Sequence, residues 1–211
     1  MVTSTPEAET AQAQSSMPGL ALVVAGIGII IGTVGSELTE WLAIGLLVGV
    51  LGIAYGVPGV HRYQAPADGA LGKWSAMLAS FGASVLALLG IVFLAWEAVG
   101  DPPEEGPAWA DVAWPVGFFA LVIGVILFAI GVIRAKVLPM LSGVLMLLGL
   151  VSAVAIDMAT GAFFEDDGST TEWGFFIGLP VFAIGLAWAG YAVWKGSDFR
   201  SQGTQATAAS A

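Results

Sequence analysis

The sequence alternates between long apolar segments and short polar ones. The clearest apolar segment is residues 115–133, nineteen uncharged residues that follow Asp111 and Trp114 and precede Arg134 and Lys136. A helix rises about 1.5 Å per residue, so about 20 apolar residues match the hydrocarbon thickness of a bilayer. The pattern therefore predicts a transmembrane helix with an acid and a tryptophan at one end and cations at the other.

Five further segments resemble this one, so the chain is predicted to be an all-α integral membrane protein with six transmembrane helices. In chain order, predicted spans 1 to 6 cover residues 18–35, 41–60, 74–97, 115–133, 139–157 and 173–194. Pro180 lies inside span 6 and predicts a kink there. We expect a six-helix transmembrane domain at residues 18–195. Polar tails at residues 1–17 and 196–211 are predicted to be disordered.

Composition supports a location in the lipid bilayer. Of the 211 residues, 57% are hydrophobic and 10% are charged, whereas about 25% of a soluble domain is charged. The net charge of −10 leaves no basic footprint for nucleic acid, so no nucleic-acid partner is expected.

The charges are divided between the two ends of the predicted spans. The segments after spans 2, 4 and 6 contain every base of the chain: Arg62, Lys73, Arg134, Lys136, Lys195 and Arg200. The segments after spans 1, 3 and 5, together with the acids at their edges, contain 12 of the 16 acids and no base. Because Lys and Arg near span ends mark the cytoplasmic side, we expect a multi-pass protein of the cell (plasma) membrane with both termini in the cytoplasm.

A repeated helical hairpin is one interpretation of the span ends. The outward-running spans end in an acid, and the inward-running spans begin with a tryptophan. These residues are Glu37, Glu97 and Asp157, spaced 60 residues apart, and Trp41, Trp114 and Trp173. Three copies of a two-helix unit would produce this pattern. A shared membrane orientation and similar helix lengths would produce it as well, so both interpretations stay open.

Span 2 carries a face of small residues, namely Gly45, Gly49, Gly52 and Gly56, at steps of four, three and four. Small residues at helical spacing allow two backbones to approach closely, which favours helix association in lipid. The face predicts either packing against a neighbouring helix of the same chain or an interface between copies of the protein.

Three acids are the candidate functional residues. Glu37, Glu97 and Asp157 each follow a long apolar segment, where a carboxylate must be hydrated or paired. If two or three of them meet, they form either an acidic ring at a cation entrance or a protonatable pair. If they do not, they are hydrated residues that mark helix ends.

Other features give little support for catalysis or metal binding. His61 is the only histidine and the chain has no cysteine, which leaves no ligand set for haem or zinc. Residues 165–172 are rich in oxygen ligands suited to Ca²⁺ but lack the spacing of an EF-hand. No catalytic, cofactor-binding or metal-binding residue is predicted.

The sequence therefore favours a non-enzymatic membrane protein. It would act as an accessory subunit of a larger membrane complex or as a self-associating homo-oligomer. The alternative is a small permease or channel for a cation or small solute, with Glu37, Glu97 and Asp157 at its outer mouth.

Overall fold

The computed structural model describes residues 6–34, 39–100, 107–160 and 173–195, and within these ranges every regular element is an α-helix. Helix α1 is Pro6–Val34. The helical segment Thr39–Val99 is broken at Gly69 into α2 (residues 39–68) and α3 (residues 70–99). Helices α4, α5 and α6 are Ala108–Ala135, Met140–Thr160 and Trp173–Trp194. The predicted all-α class is confirmed for this part of the chain.

Among the described residues, five segments are long and apolar enough to cross a membrane. They are Met17–Val34, Ile44–Ala65, Gly69–Val99, Ala108–Ala135 and Gly174–Trp194. The apolar part of α5, Met140–Ile156, is shorter than any of these five segments. Five helices are thus compatible with membrane crossing by their length and composition, and the number of crossings and their topology stay predictions.

Helix α1 begins earlier than predicted. It starts at Pro6, so residues 6–17 of the predicted tail are helical and Pro18 lies inside the helix rather than in its first turn. The Pro18 ring fits there because Gly59 of α2 lies opposite; a Cβ at Gly59 would collide with Cβ and Cγ of Pro18. The predicted C-terminal tail lies outside the described residues.

Between predicted spans 2 and 3 the composition of residues 63–73 predicts a loop, and this prediction is wrong, because all of these residues except Gly69 are helical. Gly69 has φ 55° and ψ −134°, a conformation that glycine adopts readily because it has no Cβ. A single residue therefore joins α2 to α3, and no longer turn is needed.

Helices that follow one another along the chain pack side by side. Their contacts join Gly28 with Gly45 (α1–α2), Ala54 with Ser80 (α2–α3), Gly82 with Gly117 (α3–α4), Ala129 with Gly143 (α4–α5) and Gly149 with Gly178 (α5–α6). In four of these helix pairs a second contact joins an earlier residue of one helix to a later residue of the other, so the two helices are antiparallel. These contacts are Ala25 with Gly52, Leu47 with Gly90, Ala79 with Gly124 and Ser142 with Gly185. Helix α5 follows α4 after a short turn in which Lys136 is left-handed, with φ 54°.

Helices α1 and α6 also pack together, so the first and last helices of the bundle are neighbours. Gly19 lies against Gly190, and Gly26 lies against Ala183. Because directions alternate, the bundle has two chemically different ends. The basic end holds every Lys and Arg of the described residues: Arg62, Lys73, Arg134, Lys136 and Lys195. The acidic end, where α3 ends and α4 begins, holds Glu97 and Asp111.

The space between the helices is filled mainly by apolar side chains. Leu22, Val57, Phe128, Met146 and Leu186 are almost completely buried. Among the described side chains, the buried polar ones are Thr33, Gln64, Ser75 and Ser142. The interior therefore depends on close packing, which is the main attraction between helices in lipid.

Candidate functional site

The structure places only one of the three candidate acids. Glu97 is exposed at the end of α3. Glu37 and the side chain of Asp157 lie outside the described residues, as does the acidic segment at residues 165–172. Whether the three carboxylates meet therefore stays a prediction. Within the described part of the chain, no group of three or more His, Asp or Glu side chains is placed to hold a metal ion.

The glycine face of α2 lies against α1. A Cβ at Gly45 would be 2.6 Å from the Gly28 carbonyl oxygen. At the other three positions the added atom would meet α1 at similar distances: 2.6 Å from Ile29 for Gly49, 2.6 Å from Ala21 and Ala25 for Gly52, and 2.5 Å from Leu22 for Gly56. This face is therefore occupied within the chain, and a second copy would have to use another surface.

An open depression lies at the acidic end, between the last turns of α3 and the first turns of α4. Its volume is about 420 Å³, and its lining residues are Phe93, Ala110, Asp111, Trp114 and Pro115. Phe93 comes from α3 and the others come from α4. Helix α4 begins after Pro107, whose carbonyl oxygen accepts a 2.7 Å hydrogen bond from the Ala110 N–H. Asp111 is thereby held in the first turn, where the helix dipole favours a negative charge.

The aromatic rings of this depression are held by their neighbours. Trp114 stacks on Phe118 at 5.2 Å between centroids and an interplanar angle of 4°. Phe93 meets Trp96 edge to face at 5.5 Å and 84°. Such ring pairs add to the stabilisation from burial. The depression therefore combines one carboxylate with two positioned aromatic rings.

Gln64 is an unusual residue near the basic end. Its side chain is completely buried, and neither the amide oxygen nor the amide nitrogen has a hydrogen-bond partner. The other buried polar side chains bond to carbonyl oxygens of nearby residues in the chain: the hydroxyls of Thr33, Ser75 and Ser142 donate to Ile29, Gly72 and Pro139, each at 2.7 Å. Gln64 was missed by the sequence reasoning, although its spacing after Val57 and Val60 continues the buried face of α2.

Tyr55, in contrast to the buried Gln64, is a polar residue whose side chain is exposed near the middle of its membrane-spanning segment. Its side chain is 60% exposed. It lies about 15 Å from either end of the segment Ile44–Ala65, at a rise of about 1.5 Å per residue. In a bilayer its ring and hydroxyl would face the hydrocarbon core or another protein.

Comparison of the chain with protein-family models, with curated proteins and with solved structures finds no match. Function is therefore inferred from the residues of this chain. Three features of the described residues bear on function, namely the depression at Asp111, the buried amide of Gln64 and the exposed phenol of Tyr55.

Proposed function

We propose that this chain is a six-span, non-enzymatic protein of the cell membrane that self-associates through the exposed face of α2. The five spanning segments and the apolar α5 support six crossings, because α5 packs antiparallel along α6 through Gly149 and Gly178. The positions of the described Lys and Arg residues at one end support cytoplasmic termini.

The observation that carries the self-association is the mid-span exposure of Tyr55. The hydrocarbon core offers no water to a hydroxyl, and a polar group without a partner is costly there. A tyrosine hydroxyl both donates and accepts a hydrogen bond. Two copies related by a twofold axis would place one Tyr55 against the other, so the two phenol groups could hydrogen-bond to each other.

The pattern of exposure along α2 supports the same surface. Ile44, Leu51, Tyr55 and Arg62 are exposed and are spaced by seven, four and seven residues. That spacing keeps the four on one side of a helix, as in the seam of a left-handed helix pair. The small-residue face of α2 lies on α1, so this exposed side is where α2 can meet a second copy.

The preference for a self-associating protein over a cation permease rests on the apolar interior of the described helices. Phe128, Leu22 and Met146 are among its largest fully buried side chains. A cation permease would need a polar route between the helices. Of the four polar side chains buried there, three bond to carbonyl oxygens three or four residues earlier in the chain.

Single-cysteine crosslinking tests the proposal directly, because the natural sequence has no cysteine. Tyr55→Cys is expected to form a disulfide-linked dimer when native membranes are treated with a mild oxidant. Leu88→Cys on α3 is the matched control, since Leu88 is also 60% exposed in a spanning segment. Ile184→Cys on α6 is a second control. Equal crosslinking at all three positions, or a Tyr55→Cys chain that stays monomeric, would overturn the proposed interface.

The hydroxyl itself is tested by Tyr55→Phe. This change removes the hydrogen bond and keeps the ring, and we expect the dimer fraction measured by native mass spectrometry from nanodiscs to fall severalfold. Replacing Tyr191, which is 48% exposed near the basic end, with Phe is expected to leave the dimer fraction unchanged.

A further inference from the structure

We propose that the depression at the acidic end binds a protonated primary amine, of the kind carried by an ethanolamine lipid headgroup. The depression is lined by one carboxylate, that of Asp111, and by the aromatic rings of Phe93 and Trp114. This site lies on α3 and α4 and does not depend on self-association through α2.

Charge is the first argument for a cationic ligand. Asp111 is exposed in the first turn of α4. Every Lys and Arg of the described residues lies at the opposite end of the bundle, so no cation from that part of the chain neutralises this carboxylate. An ammonium group from outside the chain fits this position, because opposite charges attract strongly near a low-dielectric surface.

The aromatic lining is the second argument. Trp114 is 55% exposed and stacks on Phe118 through one face, so its indole is held in place while part of it stays accessible. An ammonium group is attracted to the face of a tryptophan within about 6 Å of the ring centroid. The chain itself shows this pairing at the basic end, where the Lys195 ammonium lies 5.7 Å from the Trp194 centroid.

A backbone acceptor distinguishes a primary ammonium from a quaternary one. Pro115 lies inside α4 and lines the depression. Because proline has no N–H, the carbonyl of Asp111, four residues earlier, loses its normal helical donor. Asp111 thus has a carboxylate at the depression and a carbonyl that receives no hydrogen bond from residue 115. A primary ammonium has N–H donors for both, whereas a trimethylammonium group has none.

The position of the depression indicates a ligand at headgroup depth. Trp109 and Trp114 are both about half exposed in the first turns of α4, and tryptophans are enriched at the membrane–water interface. The same ammonium chemistry is offered by a lipid headgroup or by a soluble amine, and the two sources are separated by experiment.

The test uses the full-length protein in detergent micelles, with bound lipid counted by native mass spectrometry. The probes are dioleoyl phosphatidylethanolamine, dioleoyl phosphatidylcholine with the same acyl chains, and free ethanolamine. We expect the ethanolamine lipid to bind at least tenfold more tightly than the choline lipid. If free ethanolamine at millimolar concentration displaces that lipid, the site recognises the amine from either source. If it does not, the lipid is the ligand.

Matched variants locate the site. Asp111→Asn and Trp114→Leu are expected to weaken binding of the ethanolamine lipid about tenfold and a few fold, since hydrogen bonds to charged groups are stronger than exposed cation–π contacts. Glu97→Gln removes another exposed acid at the same end, and Trp109→Leu removes another exposed tryptophan of α4. Both controls are expected to bind as the wild type does.

Two results would contradict the proposed amine site. Equal binding of the ethanolamine and choline lipids would remove the primary-ammonium assignment. A loss of binding with Glu97→Gln equal to that with Asp111→Asn would indicate a diffuse acidic surface instead of this site. Asp111→Glu, which keeps the charge, should restore binding and shows that a loss with Asp111→Asn is not a folding defect.

Discussion

Replacing Gln64 with methionine should stabilise the protein. The Gln64 side chain is completely buried, and both polar atoms of its amide are without partners. Methionine has a similar length and volume but no group that needs a hydrogen bond, and its flexible chain adapts to the space available. The substitution therefore removes a cost without creating a large cavity.

The size of the effect follows from the two orphaned groups. A buried donor or acceptor without a partner costs about 1–3 kcal/mol. The unfolded reference state near a membrane surface is only partly hydrated, so we take the lower end of that range for each group. Gln64→Met should then raise the free energy of unfolding by about 2 kcal/mol. For a chain of this size that corresponds to a rise in melting temperature of roughly 4–8 °C.

The assay is thermal unfolding in a mild detergent, followed by the loss of the monodisperse peak in size-exclusion chromatography. Ser75→Ala is the control, because the Ser75 hydroxyl is equally buried but donates a 2.7 Å hydrogen bond to the Gly72 carbonyl. That variant should be neutral or slightly destabilised. Gln64→Glu should lower the melting temperature strongly, since it buries a charge.

A fall in melting temperature with Gln64→Met would refute the reasoning. It would mean that the amide makes hydrogen bonds to water inside the bundle, and that the basic end of the interior is wet.

Three further predictions concern the backbone. Gly45→Ala should cost about 1–3 kcal/mol of stability by overpacking, since the new Cβ would lie 2.6 Å from the Gly28 carbonyl oxygen. Gly131→Ala is the control, because there is open space around its Cβ. It should be neutral or stabilising by up to about 1 kcal/mol in the same thermal assay. Gly69→Ala should cost about 1–3 kcal/mol through its positive φ alone, because nothing lies within 4 Å of the added atom, and a neutral result would contradict the single-residue break between α2 and α3. Lys136→Gly should stabilise by about 1 kcal/mol because Lys136 is left-handed at the end of α4, and an unchanged melting temperature would indicate that its charge at the basic end offsets the strain.

The helices and their antiparallel order could be read from the sequence because each follows from a local property. A long apolar segment must form a helix to satisfy its backbone in lipid, and short polar connections force neighbours in the chain to pack side by side. The small-residue face of α2 was also visible, since glycines spaced by three and four share one side of a helix. Which helix would cover that face was not visible, because that depends on the register between α1 and α2.

Three features could not be predicted from the sequence, each for a physical reason. Residues 63–73 contain Pro66, Asp68 and Gly69, the composition of a loop, and composition does not show that one glycine is enough for the reversal. Gln64 looks like a polar residue at a membrane surface, and its burial becomes visible only when neighbouring helices enclose it. The depression at Asp111 has a similar origin, because Phe93 reaches it through the packing of α3 on α4.

The glycine contacts bear on the proposed hairpin repeat. Each predicted hairpin contains a pair of glycines, one on each helix, that face each other: Gly28 with Gly45, Gly82 with Gly117, and Gly149 with Gly178, although Gly45 also lies against Gly32. In every pair, a Cβ added to at least one of the two glycines would lie 2.5–2.9 Å from the carbonyl oxygen of the other. A repeated unit would place these pairs at equivalent positions, so they give a register that does not depend on the acids and tryptophans.

That register fits the first and third hairpins better than the second. Gly28 and Gly149 precede their terminal acids, Glu37 and Asp157, by nine and eight residues, whereas Gly82 precedes Glu97 by fifteen. If the glycine pairs mark equivalent positions, Glu97 is six or seven residues further from its glycine in the sequence than the other two acids are from theirs. The 60-residue spacing of the acids would then not mark equivalent positions, and a symmetric ring of three carboxylates would not follow from the repeat.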